Sequence, residues 1–176
     1  MLTYQIAIPT YKRYDMISSK TLKVLKALKI KNSIITLFVA NKKEYNNYLN
    51  HVSKSLYNKI IIGKKGLKNQ RNFIQNYYPE GTNLVQLDDD IDNIVALYNP
   101  LGIKKTSSKE YRKQNTLKTI NNLNKFIINA FKTCIINKAY LWGIYPVANS
   151  YFMNFNTEIG LKFVVGPFWG CIVRHS

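Results

Sequence analysis

The feature that most constrains the fold is a set of four short runs that are apolar throughout instead of alternating. They lie at residues 4–9, 33–40, 59–62 and 84–87. Predicted helices separate them, at residues 15–28, 43–51 and 67–78, and the second of these is short and polar. Strands without alternation are buried on both faces, so this order predicts an α/β fold with a mostly parallel sheet and helices on both faces.

The pattern changes after residue 93. Residues 94–113 contain Pro100, Gly102 and a polar run, which favours a mobile excursion, and residues 116–136 form the longest predicted helix. Further strands are predicted at 139–144, 150–155, 161–165 and 168–173, which gives mixed strands in the C-terminal half. A chain of 176 residues suits a single domain spanning residues 1–176.

Acidic residues are concentrated where the fourth apolar run ends. Of nine Asp and Glu residues in a chain of net charge +17, four are Asp88, Asp89, Asp90 and Asp92. Carboxylates that follow a buried strand lie where open α/β sheets bind ligands. A hard divalent cation, Mn²⁺ or Mg²⁺, would offset their mutual repulsion. The alternative is an acidic turn that only caps the next segment.

Four loops are predicted to meet at this edge of the sheet, because right-handed crossovers put the C-terminal ends of all parallel strands on one side. The loops contain Thr10 and Tyr11, Asn41, the basic turn at residues 63–66, and the aspartates. Glycines on both sides of two lysines make that turn flexible enough to approach a phosphate. The sequence therefore predicts one site built from separate strands.

The net charge, the cysteines and the apolar runs indicate which partners and which compartment to expect. A pI near 9.8 indicates affinity for polyanions such as nucleic acid, or a compositional bias toward Lys, Asn, Ile and Tyr. Cys134 and Cys171 lack metal-ligand spacing and are expected to be reduced and buried. Without an apparent signal peptide or an apolar run that could span a bilayer, the expectation is an intracellular, cytoplasmic protein with no membrane span.

The chain resembles the GT-A-fold nucleotide-sugar glycosyltransferases, whose sheet is Rossmann-like. Four segments carry the resemblance in the family's order: IAIPTYKR, TLFVAN, GLKNQRNFI and LVQLDDDI. The last matches the DxD metal motif as Asp88-Asp89-Asp90, and the combination is most similar to the viral and base-modification branch, related to the base J glucosyltransferase. The resemblance implies a nucleotide-sugar-binding half at residues 1–95 and an acceptor-side half at 96–176.

The resemblance also implies a role for each motif. The sugar donor, most simply a UDP-sugar, would bind with a divalent metal held by Asp90, while Asp88 would ligate it or lie near the ribose. Tyr11 would stack on the base, and the alternative for Arg71 is an ion pair with Asp88 that makes no ligand contact. The residues assigned to donor binding are Pro9, Thr10, Tyr11, Arg13, Asn41, Lys68, Arg71, Asp88 and Asp89.

The catalytic base is the weakest point of the resemblance. Past Glu110 the one carboxylate is Glu158, so the base is Glu158, Asp92, or a group outside this sequence, or the mechanism retains configuration instead of inverting it. The chain stops directly after its last predicted strand, which suggests a minimal or truncated catalytic domain. His175 is a further candidate ligand, with a solvated terminal histidine as the alternative.

Other functions stay open on the sequence alone. Trp142, Tyr145, Phe152 and Trp169 are either an acceptor platform or plain core. The acceptor is a glycan or a nucleic acid. The rival functions are a nucleotidyltransferase, which usually has a glycine-rich loop after its first strand, and a nucleic-acid-binding or DNA-base-modifying protein on the same fold.

Overall fold

The computed structural model describes residues 2–102, 108–160 and 163–175. Two sheets are formed in these ranges, one of six strands and one of two. The strands are β1 (Gln5–Pro9), β2 (Ile35–Val39), β3 (Lys59–Ile62), β4 (Asn83–Leu87), β5 (Val95–Tyr98), β6 (Thr116–Thr119), β7 (Leu141–Gly143) and β8 (Phe168–Ile172).

The helices in the described ranges connect these strands and cover the larger sheet. They are α1 (Tyr14–Ser19), α2 (Thr21–Ala27), α3 (Lys42–His51), α4 (Leu67–Tyr77), α5 (Lys109–Lys113) and α6 (Leu123–Ile136), with single 3₁₀ turns at Asn32–Ile34 and Lys54–Leu56. None of these helices is long and apolar enough to cross a membrane.

The larger sheet has the order β3-β2-β1-β4-β8-β7. β1 to β4 pair in parallel, with Ile6 of β1 opposite Ile35 of β2 and Val85 of β4. β8 is antiparallel to both of its neighbours, β4 and β7, and β5 pairs with β6 as a separate antiparallel hairpin. The predicted α/β class with a mostly parallel, mixed sheet is therefore confirmed.

Two apolar layers cover the larger sheet, as continuous apolar runs require. On one face, strand residues such as Ile8, Leu37 and Leu87 pack against apolar side chains of α1, α2, α3 and α6. On the other face, Ala7, Phe38 and Leu84 pack against Ile74 and its neighbours on α4. Helices lie on both faces, as the sequence predicts.

The direction of strand addition reverses between β1 and β4. β2 and β3 extend the sheet on one side of β1, whereas β4 lies on its other side. The helices that follow β1 and β2 cover one face of the sheet, whereas α4, which follows β3, covers the other. The carboxyl ends of β1 and β4 lie at this reversal, and the crevice at such a reversal is the usual position of a ligand in open α/β sheets.

Several element boundaries differ from the sequence prediction. The predicted helix at 15–28 is interrupted at Lys20, because the next residue, Thr21, is drawn into hydrogen bonds with the loop after β4. The predicted helix at 116–136 is two elements, β6 and α6. The side chain of Asn122 accepts a hydrogen bond from the Lys125 N–H at 2.8 Å and so begins α6 at Leu123.

The remaining differences fall in the C-terminal half. The excursion at 94–113 contains β5 and α5, which the sequence pattern did not predict. Residues 150–155 form turns instead of a strand. In the strand predicted at 161–165, residues 161 and 162 lie outside the described residues, and 163–165 are not in a strand. The strands predicted at 139–144 and 168–173 are present as β7 and β8.

Candidate functional site

The loops after β1 and β4 meet directly at the crevice. Thr10, which follows β1, is buried, and its hydroxyl donates a hydrogen bond to Asp89 Oδ2 at 2.6 Å. Asp89 follows β4 by two residues and is only 6% exposed. A buried carboxylate needs hydrogen bonds or cations as partners, so this contact fixes the acidic turn against the β1 loop.

Two side chains of α3 hold the β1 loop in shape. The hydroxyl of Tyr48, which is fully buried, lies 2.6 Å from Thr10 Oγ1 and accepts the Arg13 N–H at 3.0 Å. Glu44, one turn earlier and also buried, accepts the Lys12 N–H at 2.7 Å. Lys12 has a φ of 56°, which a non-glycine residue adopts at a cost, and these bonds offset that cost.

Arg13 brings positive charge to the acidic turn. One of its terminal nitrogens lies 3.1 Å from Asp89 Oδ1 and 3.3 Å from Asp90 Oδ2. The hydrogen bond to Asp89 raises the pKa of the guanidinium further above its usual value. About half of the Arg13 side chain is exposed, so it can turn from Asp90 toward a bound anion without leaving the loop.

Asp88 faces the opposite side of the turn, toward α4. Its carboxylate accepts a hydrogen bond from Arg71 at 2.7 Å, and the Arg71 guanidinium lies 5.4 Å from the centroid of the Trp169 ring on β8. The ion pair that was the alternative interpretation of Arg71 is thus present. Trp169 supports the guanidinium through a cation–π contact, which joins β8 to the site.

Burial and the neighbouring carboxylates oppose the ionisation of Asp88 in the acidic turn. Burial raises the pKa of Asp88, and the neighbouring carboxylates of Asp90 and Asp89 raise it further, while Arg71 lowers it. The net direction is upward even with an arginine at hydrogen-bond distance. A further cation near Asp88 and Asp90 would therefore stabilise the ionised turn.

The main chain of the acidic turn is fixed by Thr21 at the start of α2. The Thr21 hydroxyl donates to the Asp88 carbonyl oxygen at 2.8 Å and accepts from the Ile91 N–H at 2.9 Å. The Asp88 N–H in turn donates to the carbonyl oxygen of Pro167, just before β8, at 2.9 Å. These bonds hold the turn rigid from both sides of the crevice.

The three aspartates do not converge on one point. Within residues 2–102, 108–160 and 163–175, no group of three or more His, Cys, Asp or Glu side chains is placed to hold a metal ion. Asp89 is buried and already engaged, whereas Asp88 and Asp90 are about a third and a half exposed. Mg²⁺ is often held by one or two carboxylates together with substrate phosphates and water, and Asp88 and Asp90 fit that donor set.

The other predicted donor-site residues border the same edge. Pro9 is the buried last residue of β1, and Tyr11 is exposed, with Lys12 and Lys65 Nζ 5.4 and 6.0 Å from its ring centroid. Asn41 follows β2 and is engaged as the N-cap of α3, where it accepts the Glu44 N–H at 3.0 Å. Lys68 is exposed in the first turn of α4.

The basic turn at residues 63–66 is closed by a buried glutamine. Gln70 of α4 accepts the Lys64 N–H at 2.6 Å, and a Cβ on Gly63 would come within 2.1 Å of the Gln70 oxygen. Gly66 has a φ of 89° at the start of α4. Both glycines are therefore required by this turn, which places Lys65 beside Tyr11.

The two candidate bases occupy different surroundings. Asp92 is largely exposed at the end of the acidic turn, 3.2 Å from Lys20 Nζ. Glu158 is exposed on the irregular segment between β7 and β8. The described contacts of the aspartates join them to Thr10, Arg13, Lys20, Thr21 and Arg71.

The other sequence candidates separate into core and surface. Trp142 is buried among Phe126, Phe131 and Phe168, so it is core, whereas Tyr145 and Phe152 are exposed. His175 Nε2 lies 3.1 Å from the Tyr78 carbonyl oxygen, at the edge where β4 begins. The length of β4 separates it from the aspartates, so His175 as a ligand of that site is wrong. Cys134 and Cys171 are buried free thiols, as predicted.

Sequence reasoning missed Thr21, Glu44 and Tyr48, the three residues that hold the site together. The spacing of Asn41 and Glu44 is that of a capping box, which signals the start of α3 but not the contact with Lys12. Tyr48 lies in a segment with a polar appearance, and no local signal predicts its burial. Comparison with models of protein families and with curated protein sequences finds no match for this chain.

Proposed function

We propose that this chain is a GT-A-type glycosyltransferase that moves a sugar from a nucleotide diphosphate sugar, most simply a UDP-sugar, to an acceptor hydroxyl. The supporting observation is the joining of the β1 and β4 loops at the reversal of strand order, through the 2.6 Å bond from Thr10 to Asp89. Arg13 and Arg71 flank that bond, so one crevice offers both carboxylates and cations. A diphosphate with a bound cation needs both.

A divalent cation, Mn²⁺ or Mg²⁺, held by Asp88 and Asp90 would neutralise the diphosphate as it leaves. The chain's own residues supply the rest. Arg13 and Arg71 bind phosphate oxygens, and the exposed ring of Tyr11 receives the base. In the transfer step a bond forms from the acceptor oxygen to the anomeric carbon, and the bond from that carbon to the diphosphate oxygen breaks.

The proton of the acceptor hydroxyl must go to a base in an inverting reaction. Asp92 belongs to the acidic turn itself, and Lys20 keeps its carboxylate near the crevice. Glu158 lies on the segment that leads to β8 at the same edge of the sheet. Loss of turnover with retained donor binding, on replacing Asp92 or Glu158 by the amide, identifies which residue serves.

The test is calorimetric titration of the purified chain with UDP-glucose, with and without Mn²⁺. Wild-type protein is expected to bind only when the metal is present, and Asp90→Ala is expected to lose that binding. Glu80→Ala is the matched control, because it removes an exposed carboxylate at the opposite edge of the sheet, 4.0 Å from Arg174. It is expected to bind as wild type does.

Two results would count against the proposal. A folded chain that binds neither UDP-glucose, UDP nor other nucleotide sugars in the presence of metal does not have this donor site. Salt-sensitive binding to DNA or RNA that is indifferent to Asp90→Ala would indicate a nucleic-acid-binding protein on the same fold, which the net charge of +17 would then explain. Binding of both ligands would indicate a transferase that modifies nucleic acid.

A further inference from the structure

The segment between β7 and β8 has an unusual surface. Its described residues, 144–160 and 163–166, are here called the apolar segment. Of the eighteen large apolar side chains exposed in the described ranges, it carries seven: Tyr145, Val147, Phe152, Phe155, Ile159, Phe163 and Val165. Phe163 is 91% exposed and Phe152 is 62% exposed. Exposed apolar side chains that are concentrated in one segment are typical of an interaction surface, whereas single exposed ones need no explanation.

The two ends of the apolar segment lie close together. A Cβ on Gly143 would come within 2.5 Å of Val164, and one on Gly166 would come within 3.1 Å of Pro146. The segment therefore leaves the sheet and returns at nearly the same place. Pro167, directly after it, accepts the N–H of Asp88, so the apolar segment begins and ends beside the acidic turn.

Basic residues lie alongside. The Asn115 side chain donates to the Ser150 carbonyl oxygen at 3.1 Å, which joins the apolar segment to the connection between α5 and β6. Lys113 and Lys118, two and three residues from Asn115, are both exposed. From residue 108 to residue 119 the sequence contains four lysine and arginine residues, Lys109, Arg112, Lys113 and Lys118, and one glutamate, Glu110. The surface of α5 and β6 beside the apolar segment thus carries a net positive charge.

We propose that the apolar segment, with the basic surface of α5 and β6, binds the surface of an anionic phospholipid bilayer. Aliphatic and aromatic side chains enter the interface between headgroups and acyl chains, and neighbouring lysines attract anionic headgroups. Exposed Val147, Ile159 and Val165 favour lipid over nucleic acid, because aliphatic side chains do not stack on bases. A second copy of the chain is disfavoured because it carries the same positive charge.

This surface would place the crevice at the membrane. If the proposed function holds, the acceptor is then a hydroxyl of a lipid or of a lipid-borne molecule at that surface. The binding of lipid does not itself depend on the proposed function, since no residue of the donor site takes part in it.

The experiment is flotation of the purified chain with vesicles of phosphatidylcholine alone and of phosphatidylcholine mixed with phosphatidylserine. The chain is expected to float with the anionic vesicles, less so at high salt. Phe152→Ser with Phe163→Ser is expected to weaken binding by about tenfold or more, as loss of two inserted rings requires. Ile136→Ser is the matched control, because Ile136 is also highly exposed but ends α6 at the opposite edge of the sheet, and this variant should float as wild type does.

The outcomes are distinct. Absence of flotation, or equal flotation of the double variant, overturns the proposal. Binding to single-stranded DNA that the double variant loses, without binding to vesicles, assigns the surface to nucleic acid instead. Titration with UDP-glucose on the same samples separates the two proposals: flotation without donor binding contradicts the transferase alone, and donor binding without flotation contradicts the lipid surface alone.

Discussion

The two sides of the candidate site are built in opposite ways. On the β1–β4 side, polar side chains are buried and paired, as Thr10, Glu44 and Asp89 show. On the side of the apolar segment, large apolar side chains face solvent. Buried polar pairs fix one geometry, which suits a small charged ligand, whereas exposed apolar side chains gain only when a partner covers them. The first side therefore has one fixed geometry, whereas the second would be stabilised by a partner that covers its apolar side chains.

Alkaline pH should have the largest effect on stability, and it acts at the ends of β1 and β4 that lie opposite the crevice. Burial raises the pKa of Tyr4 and of Tyr78 from 10.0 to about 12. Because the folded chain holds both phenols in the neutral form, their contribution to stability is full below pH 10 and is lost as the pH rises toward 12. Urea unfolding at increasing pH should show the free energy of unfolding fall by several kcal/mol, since a tenfold change in proton affinity corresponds to about 1.4 kcal/mol. Tyr4→Phe should make this fall shallower, while Tyr145→Phe, at an exposed position, should leave it unchanged.

Trp142 tests whether the strands that carry the apolar segment are as firmly packed as β1 to β4. Its ring contacts Phe126, Phe131 and Phe168, and it leaves no room for a Cβ on Gly170. Trp142→Ala should lower the free energy of unfolding by about 3–5 kcal/mol. Trp142→Phe should cost less than about 1.5 kcal/mol, because the indole nitrogen has no hydrogen-bond partner among the described residues. Equal losses would contradict this packing.

Thr21 tests the pairing of buried polar groups. Thr21→Val keeps the shape of the side chain but leaves the Asp88 carbonyl and the Ile91 N–H without their partner. Loss of these buried bonds should cost about 1–3 kcal/mol in chemical denaturation. Thr116→Val is the matched control: Thr116 is exposed and its hydroxyl makes only a 3.4 Å contact with the Tyr98 carbonyl, so stability should hardly change. Donor binding should weaken in the first variant alone.

The smallest effect on stability is expected from a substitution in the apolar segment. Phe163→Ser removes a side chain that is almost fully exposed, so the free energy of unfolding should change by no more than about 0.5 kcal/mol. Thermal unfolding of the two proteins measures that change. If Phe163→Ser weakens binding to anionic vesicles without lowering stability, the contrast between the two sides of the site becomes clearer. A large destabilisation would mean that Phe163 is part of the core, and the contrast between the two sides would be wrong.

The sequence predicts the parallel strands well and the site network poorly, for physical reasons. Burial on both faces leaves a continuous apolar run in β1, β2 and β4, and that signal is local. The break at Lys20 is set by bonds from Thr21 to a turn far along the chain, which no local pattern encodes. β6 was missed because Leu117 and Ile120 have the spacing of a helix face.

In the acidic turn, too, the sequence predicts the position of the residues but not the contacts of their side chains. Its position after β4 follows from the order of elements, and so does its meeting with the loop after β1. The direction in which each carboxylate points does not: Asp88 faces Arg71 on α4, while Asp89 faces Thr10. Those directions depend on how α3 and α4 pack against the sheet, and that packing is a property of the whole fold.

β8 follows every other described strand in the chain, yet it lies between β4 and β7. During synthesis, one edge of β4 and the whole of β7 therefore lack a neighbouring strand until residues 168–172 leave the ribosome. Until then the nascent chain presents an apolar, unpaired strand edge, which other chains can join. Expression of this protein should accordingly depend on chaperones that cover exposed strands during synthesis.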